Sequence, residues 1–160
     1  MPIADALYSS KSGEWGTPES FMAVLRHMFG GFDLDVAASV VNAKAPTFLS
    51  LETDGLNHPW WGSVYCNPPY GREVGNWLLK AETEVVEGRA HQVGMLVPAR
   101  TDTKWWHRYA MTANQIYLVR GRLTFEGAPS AAPFPSAVIR WVQNGPPLGV
   151  LGMERKVATT

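Results

Sequence analysis

The sequence predicts an α/β fold with a mostly parallel sheet and an antiparallel edge. Three observations carry that prediction. Short apolar runs alternate with segments of helical spacing, as in folds that cross back over a parallel sheet. One run, 93–97, is continuously apolar and closes at Pro98, the pattern of a strand covered on both faces. The last two strand candidates, 116–119 and 137–142, have no helical segment between them, so antiparallel pairing across the 121–135 connection is expected.

Each element has a local cause. Residues 1–14 show little pattern and are read as a flexible arm. Thr17-Pro18-Glu19 reads as a helix start, with Thr17 as cap, Pro18 at the first helical position and Glu19 at the positive end of the dipole. Phe21, Val24, Leu25 and Met28 keep helical spacing, and Gly30-Gly31 ends it. Residues 32–38 read as a strand leading into a turn. Pro46, Gly55, Pro59 and Gly62 break up 39–63, which is expected to be irregular. Val64-Tyr65-Cys66 is the next strand. The following helix carries Val74, Trp77, Leu78, Ala81 and Val85 on one face and stops at Gly88. Thr101 or Asp102 is expected to cap a short helix running to Met111. From 146 onward the chain is rich in Gly and Pro and then polar, and is read as a C-terminal tail. The expected organisation is thus an arm over 1–14, one domain over 15–145 and a tail over 146–160.

Composition narrows the class. A chain of 160 residues, 46% of them hydrophobic, is long enough for one domain with a core. No apolar run approaches the ~20 residues of a membrane span, and no basic region followed by an apolar core begins the chain, so no export signal is expected. A single cysteine, Cys66, excludes an internal disulfide and suits a reducing, cytoplasmic setting. Four scattered histidines without ligand spacing predict no metal site. Net charge is zero but unevenly spread. Residues 1–98 hold 6 Lys/Arg against 11 Asp/Glu, and residues 99–160 hold 8 against 3. Either ordinary solvated charge or one basic face able to track phosphates accounts for this.

The most specific feature is Asn67-Pro68-Pro69-Tyr70, directly after a strand. Open α/β sheets bind ligands at the carboxyl ends of their strands. Few reactions need an amide, two rigid prolines and an aromatic ring there, and methylation of a ring-conjugated amino group is one. The lone pair of such a nitrogen is delocalised into the ring. The Asn67 side-chain oxygen and the Pro68 carbonyl could accept both amino protons and favour a more tetrahedral nitrogen. Pro68 and Pro69 restrict the loop before any ligand arrives. Tyr70 could stack on a flat base.

Four segments in order, Trp15-Gly16-Thr17-Pro18, Leu34-Asp35-Val36-Ala37-Ala38-Ser39, Cys66-Asn67-Pro68-Pro69-Tyr70 and Val97-Pro98-Ala99-Arg100-Thr101-Asp102-Thr103-Lys104-Trp105, resemble the phage-type DNA N6-adenine methyltransferase family. The resemblance covers Trp15 to Trp141. It implies the Rossmann-like fold of S-adenosylmethionine-dependent methyltransferases, that cofactor, no metal, and DNA as partner. It implies a catalytic role for Asn67, Pro68, Pro69 and Tyr70. It places Trp15, Thr17 and Pro18 near the methionine part of the cofactor. Asp35 would accept from the methionine ammonium, and Asp54 from the cofactor's adenine amino group. Phe134 or Phe125 would supply a second ring facing the target base. Two departures stand out. Val36-Ala37-Ala38-Ser39 replaces the usual Gly-rich turn, and no separate recognition domain fits, so loose sequence choice is expected.

Plainer roles remain open for several of these residues. Asp35 could be a local cap and Asp54 a turn residue before Gly55. Trp60, Trp61, Trp105 and Trp106 are expected to pack rather than to stack on bases. Arg100, Lys104 and Arg108 are either a solvated face or phosphate contacts. Methylation of RNA or of a protein amide, or a non-catalytic cofactor- or DNA-binding module, are the competing functions.

Overall fold

The computed structural model describes residues 16–157. Among these, the strands are β1 (Leu34–Asp35), β2 (Thr47–Phe48), β3 (Gly62–Cys66), β4 (Ala90–Pro98), β5 (Gln115–Val119), β6 (Ser136–Val142) and β7 (Gly149–Met153). They form one sheet in the order β2-β1-β3-β4-β6-β5-β7. Pairs β1–β2, β1–β3, β3–β4 and β5–β7 are parallel, and β6 runs antiparallel to both β4 and β5. The sheet is mostly parallel, as expected. Its antiparallel strand lies between two parallel ones rather than at the margin, because β6 inserts between β4 and β5. This mixed α/β sheet fits a methyltransferase fold of the Rossmann-like kind.

The helices are α1 (Glu19–Phe29), α2 (Val74–Val86) and α3 (Lys104–Tyr109). Helix α1 buries Phe21, Met22, Leu25 and Phe29 against one face of the sheet, where Tyr65, Leu96 and Val138 point. Helices α2 and α3 cover the other face, where Val64, Cys66, Val93, Met95 and Val97 point. Strand β4 therefore alternates its side chains between two cores, which explains its unbroken apolar run. Gly94 sits in its middle because a Cβ there would come within 2.8 Å of the Phe29 ring.

Three local expectations are corrected. Thr17 does not cap α1: Pro18 occupies the cap position without a side-chain bond, and the Thr17 hydroxyl turns inward to bond the Tyr65 hydroxyl at 2.6 Å. Helix α3 is capped by Thr103, whose side chain accepts from the Trp106 N–H, and not by Thr101 or Asp102. The segment read as a tail contains β7, which pairs with β5 from Gly149 to Met153. Strand β2 likewise arises in the segment expected to be irregular. Both strands depend on hydrogen bonds to a distant partner strand and not on their own pattern. Trp15 and the 1–14 arm lie outside the described residues.

Candidate active site

The chain leaves β3 at Cys66 and enters Asn67–Tyr70 at the carboxyl edge of the sheet. The register aligns Asp35 with Tyr65 and Cys66 with Met95. The ends of β1, β3 and β4 therefore open onto the same edge. The Tyr70 hydroxyl donates to Asn67 Oδ1 at 2.9 Å and makes a longer 3.4 Å contact with the Leu96 carbonyl. Burial, reinforced by the neighbouring Cys66 thiol, pushes the Tyr70 hydroxyl far above its usual range, so it remains a protonated donor. The Tyr70 ring meets Phe134 edge-on, with centroids 5.6 Å apart, and Phe125 edge-on at 6.4 Å. Both phenylalanines are buried, at 7% and 3% exposure. The structure thus brings both aromatic candidates to Tyr70, where sequence reasoning left a choice between them.

Asp35 ends β1 with a buried carboxylate. Oδ2 accepts from the Lys44 backbone N–H at 3.0 Å and Oδ1 from that of Ala37 at 3.3 Å. Burial dominates its titration and raises its pKa to about 6, against the pull of those two N–H groups and the Lys44 charge. No helix follows β1, so Asp35 does not cap one. In place of a Gly-rich turn the backbone continues the sheet: Val36 N–H bonds the Tyr65 carbonyl, and Ala38 N–H bonds that of Leu49. Beyond it, Ser39 Oγ is buried without a hydrogen-bond partner among the described residues. Buried Thr17, through its bond to Tyr65, borders the same end of β1 and β3. Pro18 is half-buried beside it.

Asp54 is exposed on a single turn of 3-10 helix over Gly55–Asn57. Its carboxylate accepts from the Asn57 side chain, and its φ of 52° is left-handed. The next residue, Gly55, packs closely on the residue after β1: its Cβ position lies 2.2 Å from the Val36 carbonyl. Only glycine permits that approach, and Asp54 directly precedes it.

On the other side of Tyr70 lies a cleft of about 230 Å³, lined by Tyr70, Val74, Pro98, Arg100 and Trp105 among others. Arg100, Lys104 and Arg108 are exposed, and the last two stand one turn apart on α3. The Arg108 guanidinium lies 5.4 Å from the Tyr109 ring centroid. Trp60 and Trp106 are core residues, Trp61 is exposed, and Trp105 is half-buried at the cleft.

Sequence reasoning missed Lys44 and Glu126. The Lys44 ammonium is buried between Glu126 Oε1 at 2.7 Å and Glu19 Oε1 at 3.1 Å. No local pattern marks a lysine as buried, and its partners lie 82 and 25 residues away. Among the described residues, no cluster of three His, Cys, Asp or Glu is placed to hold a metal ion. No helix there is long and apolar enough to cross a membrane.

Comparison with known proteins identifies the family. Residues 6–143 match the model of a family described as DNA N-6-adenine-methyltransferase (Dam). The chain is 36% identical over 113 residues to the DNA N-6-adenine-methyltransferase of Escherichia phage T1, covering 69% of this chain and 46% of that protein. It is 31% identical over 64 residues to an Escherichia coli (strain K12) protein named "Putative methyltransferase YfdM", covering 36% of this chain and 70% of that protein. The match therefore spans about half the length of the phage T1 relative.

Proposed function

The chain belongs to the DNA N-6-adenine-methyltransferase family, and from that premise we propose that it transfers a methyl group from S-adenosylmethionine to the N6 amino group of adenine in DNA. The observation that carries this is the arrangement at the sheet edge. The Asn67 amide oxygen accepts from the Tyr70 hydroxyl, the Tyr70 ring meets those of Phe125 and Phe134, and the buried carboxylate of Asp35 ends the neighbouring strand.

The residues present suit the cofactor. Asp35 offers an acceptor to its ammonium group, Asp54 an acceptor to its adenine amino group, and Ser39 a buried hydroxyl lacking a partner among the described residues. Thr17 and Pro18, with Trp15 before them, would border the methionine part. The cofactor carries no phosphate, so the missing glycine turn removes no phosphate cradle. When bound, it supplies a methyl group on a positively charged sulfur.

The chain's own part is orientation. The target adenine is paired in a duplex and must be flipped out to present its amino group. Asn67 Oδ1 has two lone pairs, so it can accept from the Tyr70 hydroxyl and from one amino proton together. The Pro68 carbonyl accepts a hydrogen bond from the other amino N–H. Pro69 stiffens the loop, and Tyr70, Phe125 and Phe134 enclose the base. Holding the nitrogen lone pair toward the methyl group lowers the barrier through positioning and pre-set dipoles. The extra proton leaves to solvent after transfer.

Arg100, between β4 and α3, and Lys104 and Arg108 on α3 hold DNA phosphates, which supports affinity without reading bases. Sequence choice is relaxed, because every element among the described residues is used in the sheet or its covering layers. The functional unit starts near Trp15 and extends past 145 to include β7, and it works in the cytoplasm.

The test is incubation with radiolabelled S-adenosylmethionine and separate DNA, RNA and protein acceptors. Label in DNA, at N6 of adenine, is expected. Label only in RNA or protein would replace the substrate, and label in none would leave a binding module. Single-molecule sequencing of treated DNA is expected to find modified adenines in many short contexts. Modification confined to one palindrome of four or more bases would show that loops read sequence.

A further inference from the structure

We infer that Lys44 is a positioning residue that joins the cofactor side of this site to its base side, so that cofactor binding and capture of the flipped adenine are coupled through its ammonium group. The inference rests on the methyltransferase reading above. Besides the Glu19 ion pair already described, three connections meet at this one residue. Its backbone N–H donates to Asp35 Oδ2 at 3.0 Å, which fixes the carboxylate assigned to the cofactor. Its ammonium bonds Glu126 at 2.7 Å, and Glu126 directly follows Phe125, one of the rings that meet Tyr70. Its carbonyl accepts from Arg26 Nη2 at 3.1 Å, which anchors the segment to α1.

Glu126 extends the connection. Its backbone N–H bonds the Gly16 carbonyl at 2.8 Å, next to Thr17. A Cβ on Gly16 would come within 2.9 Å of Glu126 Oε2, so the two segments are in direct contact. Any movement of the 125–126 segment is therefore felt at Thr17 and, through Lys44, at Asp35.

Stability alone does not account for the arrangement. The Lys44 side chain is 6% exposed, while Glu126 and Glu19 are 38% and 63% exposed. The lysine bears most of the desolvation, and replacing a buried ion pair by apolar groups is often neutral or stabilising. What an apolar residue would not reproduce is a directional link between two loops that must both be in place when the base arrives.

The test uses S-adenosylhomocysteine and a DNA duplex carrying an adenine opposite an abasic site, which mimics the flipped base. Duplex affinity is measured with and without S-adenosylhomocysteine for the wild type, Lys44→Met, Lys44→Arg and Glu126→Ala. The wild type is expected to bind the duplex at least about 5-fold more tightly with S-adenosylhomocysteine, and Lys44→Met less than about 2-fold more tightly, within the usual range of coupling between sites. Lys44→Arg restores the coupling, and Glu126→Ala loses it as Lys44→Met does. Thermal melting establishes that each variant is folded, and Glu126→Ala, altered at the half-exposed end of the pair, carries the test if Lys44→Met does not fold. A folded Lys44→Met or Glu126→Ala protein with wild-type coupling would overturn the inference. So would a wild type that binds both partners without coupling. A wild type that binds neither would overturn the methyltransferase reading, and this inference with it.

Discussion

Asp35 gives the sharpest quantitative test. Burial raises its pKa from an ordinary 3.8 to about 6. Between those values the folded protein holds a proton that the unfolded chain has lost. Stability therefore falls as pH rises through that window, and the cost is complete above about pH 6. A difference of this size corresponds to about 3 kcal/mol. Asp35→Asn removes the titration while keeping the shape. Asparagine has one acceptor oxygen for the N–H groups of Lys44 and Ala37, a loss of about 1–3 kcal/mol that does not depend on pH, so the test is the slope: from pH 4 to pH 7 wild-type stability is expected to fall by about 3 kcal/mol relative to the variant, read from urea denaturation at each pH. Cofactor affinity should move the opposite way. An ammonium partner favours the ionised carboxylate, so wild-type affinity for S-adenosylhomocysteine rises with pH up to about 6 and then levels off. A carboxylate–ammonium hydrogen bond contributes about 1.5–3 kcal/mol, so Asp35→Asn should bind roughly 10- to 100-fold more weakly at pH 7.5. Its affinity should also be flat with pH, which calorimetric titration measures directly. Equal affinity in both proteins with the same pH profile would show that Asp35 only organises the loop at Ala37 and Lys44.

Asn67→Ala should abolish methylation while calorimetry finds cofactor affinity unchanged, because the amide faces the Tyr70 hydroxyl and the proposed acceptor. Tyr70→Phe keeps the edge contacts with Phe125 and Phe134 but frees Asn67 Oδ1, so a several-fold drop in kcat is expected, about 1 kcal/mol. Gly55→Ala would force a Cβ against the Val36 carbonyl, a backbone atom that cannot step aside, and should cost about 1–3 kcal/mol by denaturation and weaken cofactor binding as Asp54 shifts. Lys104→Ala should lower the salt dependence of DNA binding by about one phosphate contact for every DNA sequence tried. A loss confined to one sequence would make Lys104 a base reader instead.

Local chemistry explains what was legible without coordinates. The extent of α1 follows from apolar spacing and from Gly30, whose left-handed φ of 74° stops the helix. Strand β4 follows from an unbroken apolar run. The loop at Asn67 follows from two prolines after a strand, and the parallel sheet follows from alternation of short elements. These depend on residues within a few positions of one another, where propensity and turn chemistry act. Thr17 illustrates the limit: its local context favours a cap, yet it bonds Tyr65, 48 residues away.

Thus the chain's own order of residues determined the fold class and the amide–proline–aromatic loop at the sheet edge on which the candidate site is read. Only the tertiary structure decided the partners. It set Phe125 and Phe134 together against Tyr70, buried Lys44 between Glu126 and Glu19, inserted β6 between β4 and β5, and paired β7 with β5. Burial of an ionic group or pairing of an edge strand is settled by what the rest of the chain places beside it, and neighbours in sequence carry no record of that.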